Sequence, residues 1–430
     1  MHTAAAIPRY AAVPVGLVVM RHAEESALLC NQRFFLAGSA HARLHHLRRL
    51  DDRLAAHLDG LAVAGEAGRQ ACDAALGNAG RGEVFAATVL AVVNHDLPRL
   101  DRLLALAEAL PAVREASALA VGWAAAHSLR GIAKELLDSP MAFRRSIAIA
   151  ACDAHMVDPG VALAGAMADS DAMLRAQALR AAGECGRTDL AGACLEAIAD
   201  PDPACRFWAA RSAVLLGERH RPVRALHDAA LMPGTHQSLQ ALSLLFKLAT
   251  AEQAAPLLAD MRDKPARLRD AVRGAGAVGD PRVVPWLLSL MDDPALARVA
   301  GEAFSTITGL DLAWLDLECR PPQDFESGPD DDPAHDDVAM DEDDGLPWPD
   351  PAKLGDWWRA NAERFQPGQR YFMGAPPAWA HCMAVLGSGF QRQRIAAAEH
   401  LCLLRPGSKL FPTQAPAWRQ SRWLAQTQDD

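Results

Sequence analysis

The sequence predicts an all-α protein, a right-handed α-solenoid of helical hairpins with helical caps at both ends. Three observations carry this expectation. A motif recurs every thirty-one residues: Asp138-Ser139-Pro140 leads to Arg144, Asp169-Ser170-Asp171 to Arg175, and Asp200-Pro201-Asp202 to Arg206. Asp292-Asp293-Pro294 and Arg298 return nearly three periods on, and Gly183-Glu184-Cys185-Gly186 is matched ninety-three residues later by Gly276-Ala277-Val278-Gly279. Self-similarity of this length marks stacked units that bury their apolar faces only against neighbours. Apolar residues also fall at helical spacing, as in the row Leu44, Leu47, Leu50, Leu54 and Leu58. Finally, half the residues are hydrophobic but only 6% are aromatic, and alanine-rich runs such as Ala148-Ile149-Ala150-Ala151 suit closely packed helices.

Residues 1–106 read as an N-terminal helical region. Ala11 to Met20 is too short to span a bilayer, and Arg21-His22-Ala23-Glu24-Glu25 follows at once. It reads as an N-terminal strand or helix start, in a cytoplasmic protein without a signal peptide. Helical spacing covers 26–35 and 41–58. After a break at Gly60, Gly65 and Gly68 it resumes near Cys72–Leu76, Val84–Val93 and Leu97–Ala109.

The repeat region spans 107–319. In each unit one helix precedes the Asp (161–167, 190–199, 223–231, 254–261, 283–291). A second follows it (141–152, 172–182, 203–216, 238–248, 265–275, 294–307). An Asp at the junction can cap the second helix, and Pro in its first turn loses no needed hydrogen bond. Arg one and a half turns later can reach a neighbouring loop. Asp138, Arg144, Asp169, Arg175, Asp200, Arg206, Asp292 and Arg298 are therefore expected to form a structural ladder. These residues resemble HEAT and HEAT-like repeats, in which an Asp between two helices precedes an Arg in the second by the same spacing. Asp263-Lys264-Pro265 with Arg269 has slipped by one residue, and Met232-Pro233-Gly234 stands where Asp-Pro is expected.

The segment 320–350 is expected to be an acidic, disordered linker. From Asp324 to Asp350 there are twelve acidic residues and no Lys or Arg, so of the net charge of −10 the rest of the chain carries about +2. Residues 351–430 read as a Trp-rich helical cap, in a chain where seven of the ten Trp residues lie after residue 313, with helices opened by Asp350-Pro351 and near 377–386 and 391–403. Its Trp357 and Trp358 serve either to cover the end of the stack or to bind a partner.

Chemistry was sought residue by residue. Nine Cys without a Cys-x-x-Cys pair read as small buried hydrophobes in a reducing compartment, with neither disulfides nor zinc. His41, His45 and His46 are surrounded by Arg43, Arg48 and Arg49, which would repel a cation. No phosphate loop, nucleophile elbow or HExxH is present, and Asp341-Glu342-Asp343-Asp344-Gly345 lacks the alternating ligands of a calcium loop. The repeated His-Glu pairs by which HEAT-like hydroxylases hold iron have no counterpart, since Glu399-His400 is single and reversed. No catalytic residue, metal or cofactor is assigned. One column stands out: Arg180, Arg211 and Arg273 share a repeat position on the second helices. Facing inward, they would suit an acidic partner or the chain's own acidic segment. Near-neutral charge without basic–aromatic interleaving argues against nucleic acid.

Leu50-Asp51-Asp52-Arg53-Leu54-Ala55-Ala56-His57-Leu58-Asp59-Gly60-Leu61 opens a wider match. It continues at Gly301-Glu302-Ala303-Phe304 to Gly309, Trp357-Trp358, Gly368-Gln369-Arg370-Tyr371 and Gln391-Arg392-Gln393-Arg394. Over nearly the whole chain this resembles an uncharacterised bacterial HEAT-like family often encoded beside type VI secretion genes. The resemblance implies an accessory or adaptor role and brings no catalytic residues. The expected function is a non-enzymatic protein-binding scaffold with partner contacts at Arg180, Arg211, Arg273, Trp357 and Trp358. An enzyme with an atypical site near Trp357, Trp358, Tyr371 and His381 is the second reading, and nucleic-acid binding the third.

Overall fold

The computed structural model describes residues 14–232, 236–323, 325 and 341–426. They form 22 α-helices with short 3-10 turns, and only isolated bridges of extended chain occur among the described residues. The protein is all-α. The N-terminal stretch read as a strand or helix start is helix, Gly16–Leu36, and it packs on Leu44–Val63 and Glu66–Ala75.

From residue 81 two series of helices alternate. Arg81–Val93, Arg114–Trp123, Ala142–Ala154, Ala172–Glu184, Pro203–Leu215, His236–Leu248, Pro265–Val278 and Ala297–Thr308 each pack against the next in that order. The helices between them, from Leu97–Ala109 to Val284–Ser289, each pack on the helix that follows. The seam is made of small and branched side chains, including Ala178, Leu179, Ala182, Ala209 and Ala213, all fully buried. A Leu such as Leu179 contributes about 1.5–3 kcal/mol by burial.

The junctions show how the repeat motif is used. Asp171 and Asp202, third in their triplets, cap the second helices by accepting from the N–H of Leu174 and Cys205, each at 2.9 Å. The leading Asp169 and Asp200 accept from the N–H two residues on, which turns the chain. They also receive an arginine from the preceding unit: Arg145 reaches Asp169 at 2.6 Å, and Arg175 grips Asp200 through two bonds of 2.9 Å. The rungs thus cross between units rather than closing each Asp on the Arg six residues later. Toward its own unit, Arg175 donates to the Asp169 and Ser170 carbonyls.

Elsewhere the expected ladder is corrected. Arg144 turns outward to Asp101 at 2.8 Å, and Arg145 takes its place. Arg206 reaches only carbonyls, those of Asp200 and Pro201, because Leu231 stands where the next Asp would fall. Asp138 and Asp292 receive no arginine among the described residues, and Arg298 is drawn to the acidic segment instead.

The C-terminal region does more than cover the last unit. Its first helix, Pro351–Asn361, packs there, with Leu354, Phe365 and Tyr371 buried against Phe304. The chain then runs back along the C-terminal ends of the second helices. The N–H groups of Met373 and Tyr371 donate to the Thr306 and Gly279 carbonyls, Gly407 to Leu215 and Leu410 to Glu184. Helix C-termini leave carbonyls unpaired at the negative end of the helix dipole, so cations are favoured there. Arg370 accordingly donates to the carbonyls of Phe246, Lys247, Ala249 and Val278. Lys409 caps Met156, and buried Arg419 spans Gly122, Trp123, Ala124 and Ala154. The run ends at the first helices: Asp51 accepts from the Ala417 N–H and from Arg33, which donates onward to Gln414 and Ala415. The periodic glycines are its seats. Gly186, Gly279 and Gly309 all have positive φ, and a Cβ there would overlap the backbone of Gly407, Tyr371 and Met373 respectively.

Candidate interaction site

Two groups of charged side chains lie where the C-terminal region meets the repeats. The first is enclosed. Arg211, 6% exposed, donates to Glu184 at 3.1 Å and lies 3.6 Å from Glu399, while Lys247 meets Glu399 at 2.5 Å. Arg180 pairs with Glu184 at 3.0 Å, and both Arg180 and Arg211 stand over the Trp208 ring. Burial alone would raise the Glu184 and Glu399 carboxyls, but the adjacent cations outweigh it and hold both below the usual range. Asp153 behaves oppositely: burial and the neighbouring Glu184 push it well above that range.

The second group is an arginine cluster around the acidic turn 341–345. Arg269 contacts Glu342 and Asp343, and Arg273 binds Glu342 at 2.6 Å. Arg298 meets Asp341 at 2.7 Å and the Asp343 carbonyl, with its guanidinium over the rings of Phe325 and Trp348. Arg392 donates to the Glu342 carbonyl and makes a double contact with Glu302 at 3.0 and 3.1 Å. Asp343 is buried, whereas Glu342 remains 63% exposed. The Arg273 hydrogen bond holds Glu342 below its ordinary range. At Asp341 burial works upward, but Arg298 more than offsets it and the net shift is down. The expectation of a disordered 320–350 is corrected at 341–350, where the arginines hold a turn, while 324 and 326–340 lie outside the described residues.

The column Arg180–Arg211–Arg273 is therefore divided. Arg211 is spent on buried carboxylates, Arg180 keeps 41% of its side chain exposed, and Arg273 holds the acidic turn. Trp357 and Trp358 are half-buried, edge-on to Phe304 at 6.1 and 6.4 Å and close to Phe365. The second-choice catalytic pair is occupied by backbone: the Tyr371 hydroxyl accepts from the Gln366 N–H, and His381 Nε2 lies 2.7 Å from the Phe372 carbonyl. No cluster of three or more metal-binding side chains occurs among the described residues. His45 and His46 stack on one another, and His46 Nδ1 accepts from the Arg43 N–H. No described helix is long and apolar enough to cross a membrane.

Two cavities open on the C-terminal region. One of about 250 Å³ lies between Leu58, Val89, Trp123 and Trp418, with Arg419 at its edge already committed to carbonyls. The other, about 140 Å³, lies beside Lys247, Arg273 and His400. Sequence reasoning missed Arg269 and Arg392 as parts of a common site, and also Lys247 and Glu399. The one available signal was the isolated Glu399-His400 pair on a predicted helix. Comparison with known families, curated proteins and solved structures finds no match to this chain.

Proposed function

We propose that this protein is a non-enzymatic scaffold whose helical pairs form a right-handed, HEAT-like α-solenoid and whose arginine cluster docks an acidic segment of another protein. The observation that supports it is the convergence of Arg269, Arg273, Arg298 and Arg392 on one acidic turn. Guanidinium groups drawn from three separate elements recognise carboxylates by paired, directional bonds. In this reading the turn 341–343 is an internal occupant with the partner's chemistry, and its exposed Glu342 is the point of entry for a competitor. The family resemblance favours a component or effector of type VI secretion as the partner, in the cytoplasm.

Affinity capture with the full chain tests this. Asp341→Asn, Glu342→Gln and Asp343→Asn together should increase recovery of a stoichiometric partner. Arg269→Ala with Arg273→Ala should abolish it, and recovery from the native chain should fall steeply with salt. Equal recovery from all three proteins, checked for equal helicity, would refute the docking site.

A further inference from the structure

The 140 Å³ cleft lies between three consecutive second helices, His236–Leu248, Pro265–Val278 and Ala297–Thr308, and the C-terminal helix Gln391–Leu404. Small residues make the space: Gly276, Ala277, Ala303 and Ala396. A cavity of roughly 150 Å³ accepts benzene, so this one suits a ligand of about six heavy atoms.

Its polar wall is asymmetric. Lys247, Arg273 and Glu302 line it, and each is tied to a partner outside the lining: Glu399, Glu342 and Arg392 respectively. His400 is not tied. Only 4% exposed, it stacks on Phe372 at 4.7 Å and has no hydrogen-bond partner among the described residues. Behind it, Arg370 is paired only with carbonyls, so one positive charge near the cleft is not neutralised by a carboxylate. Burial first, then Lys247, Arg370 and His381, hold the imidazole well below its ordinary range.

We propose that this cleft is a binding site for a small oxyanion, a carboxylate or phosphate compound of about six heavy atoms, seated between Lys247, Arg273 and His400. An anion there would complete the hydrogen bonding of His400 and offset the charge of Arg370. The imidazole then takes up a proton as the ligand binds, with Glu399 on its own helix and Glu302 across the cleft as the nearby carboxylates. The site shares Arg273 with the docking surface, but Ala396→Leu and His400→Gln touch only the cleft, so the two readings fail separately.

Calorimetry on the full chain near pH 7, with butyrate and with inorganic phosphate as probes and butyramide as the neutral control, tests it. One of the anions should bind saturably and at least tenfold more tightly than butyramide, and their relative affinity identifies the head group. The binding heat should differ between buffers of different ionisation enthalpy, reporting proton uptake. Ala396→Leu, which fills the cleft from a partly exposed position, should weaken binding at least tenfold. His400→Gln should remove the buffer dependence. Affinity weaker than about 1 mM for both anions, or unchanged affinity in the folded Ala396→Leu protein, would overturn the proposal.

Discussion

The enclosed ion pairs lead to a prediction whose size follows from the geometry. Glu399 lies 2.5 Å from Lys247 and 3.6 Å from Arg211, and these side chains are 11%, 5% and 8% exposed. Glu399→Gln keeps the shape but leaves the Lys247 ammonium buried without its counter-charge. Removing one partner of such a pair costs about 3–5 kcal/mol, or roughly two to three and a half powers of ten in the local opening equilibrium. Arg211 retains Glu184 at 3.1 Å, so the loss falls mainly on Lys247. Lys247→Met combined with Glu399→Leu removes both charges at similar volume, and its cost should be at most about 1 kcal/mol. Native-state hydrogen exchange of the Gln391–Leu404 amides measures the opening that exposes this pair. A change below about 1 kcal/mol for Glu399→Gln, or a double variant no better than the single one, would refute the account of a buried, mutually dependent pair.

Three further predictions address other parts of the molecule. Gly279→Ala should destabilise by at least 2 kcal/mol in urea unfolding, because its φ is +71° and the new Cβ meets the Tyr371 carbonyl. Gly192→Ala, in a helix with open space at the same position, should be neutral or gain about 0.5–1 kcal/mol. Since Asp341 and Glu342 are held below their unfolded values, their contribution is complete above those values, near pH 4, and is lost as pH falls through the lower folded ones. Amide protection of Asp343, Asp344 and Leu346, corrected for intrinsic rates, should therefore drop from pH 6 to pH 3, and undiminished protection would exclude a charge-held turn. Among the nine thiols only Cys319 is exposed; desolvation raises it too, but burial pushes Cys30, Cys185, Cys194 and Cys205 up to about 12, so one thiol should react ahead of the other eight with a disulfide reagent in the native protein.

The all-helical character was legible because it depends on local pattern. Leu97–Ala109 begins and ends as its apolar spacing predicts, and Pro203 and Pro265 open helices as their fixed φ allows. The repeat motif was read correctly as joining units through the neighbouring loop, as Arg175 and Asp200 do, but spacing along one chain does not say that Arg145 rather than Arg144 reaches Asp169. The helix Ala417–Gln426 went unread, as did the whole return of the C-terminal region. Its contacts join residues such as Arg419 and Gly122 through backbone carbonyls, which any residue supplies and no sequence pattern marks. The conspicuous arginine column was only half informative, because the same residue type serves equally to neutralise a buried Glu184 and to hold an exposed Glu342.

The return of the chain also bears on synthesis. Gly122, Trp123 and Ala154 emerge from the ribosome long before Arg419, the residue that caps their carbonyls, and Asp51 waits for Ala417 across 366 residues. Nascent helices can pair unit by unit as they appear, but the surface they leave for the returning segment stays wet until that segment has been made. A chain that stops before residue 405 would therefore expose the carbonyls of Gly122, Trp123, Ala154, Glu184 and Leu215, which the returning segment otherwise covers.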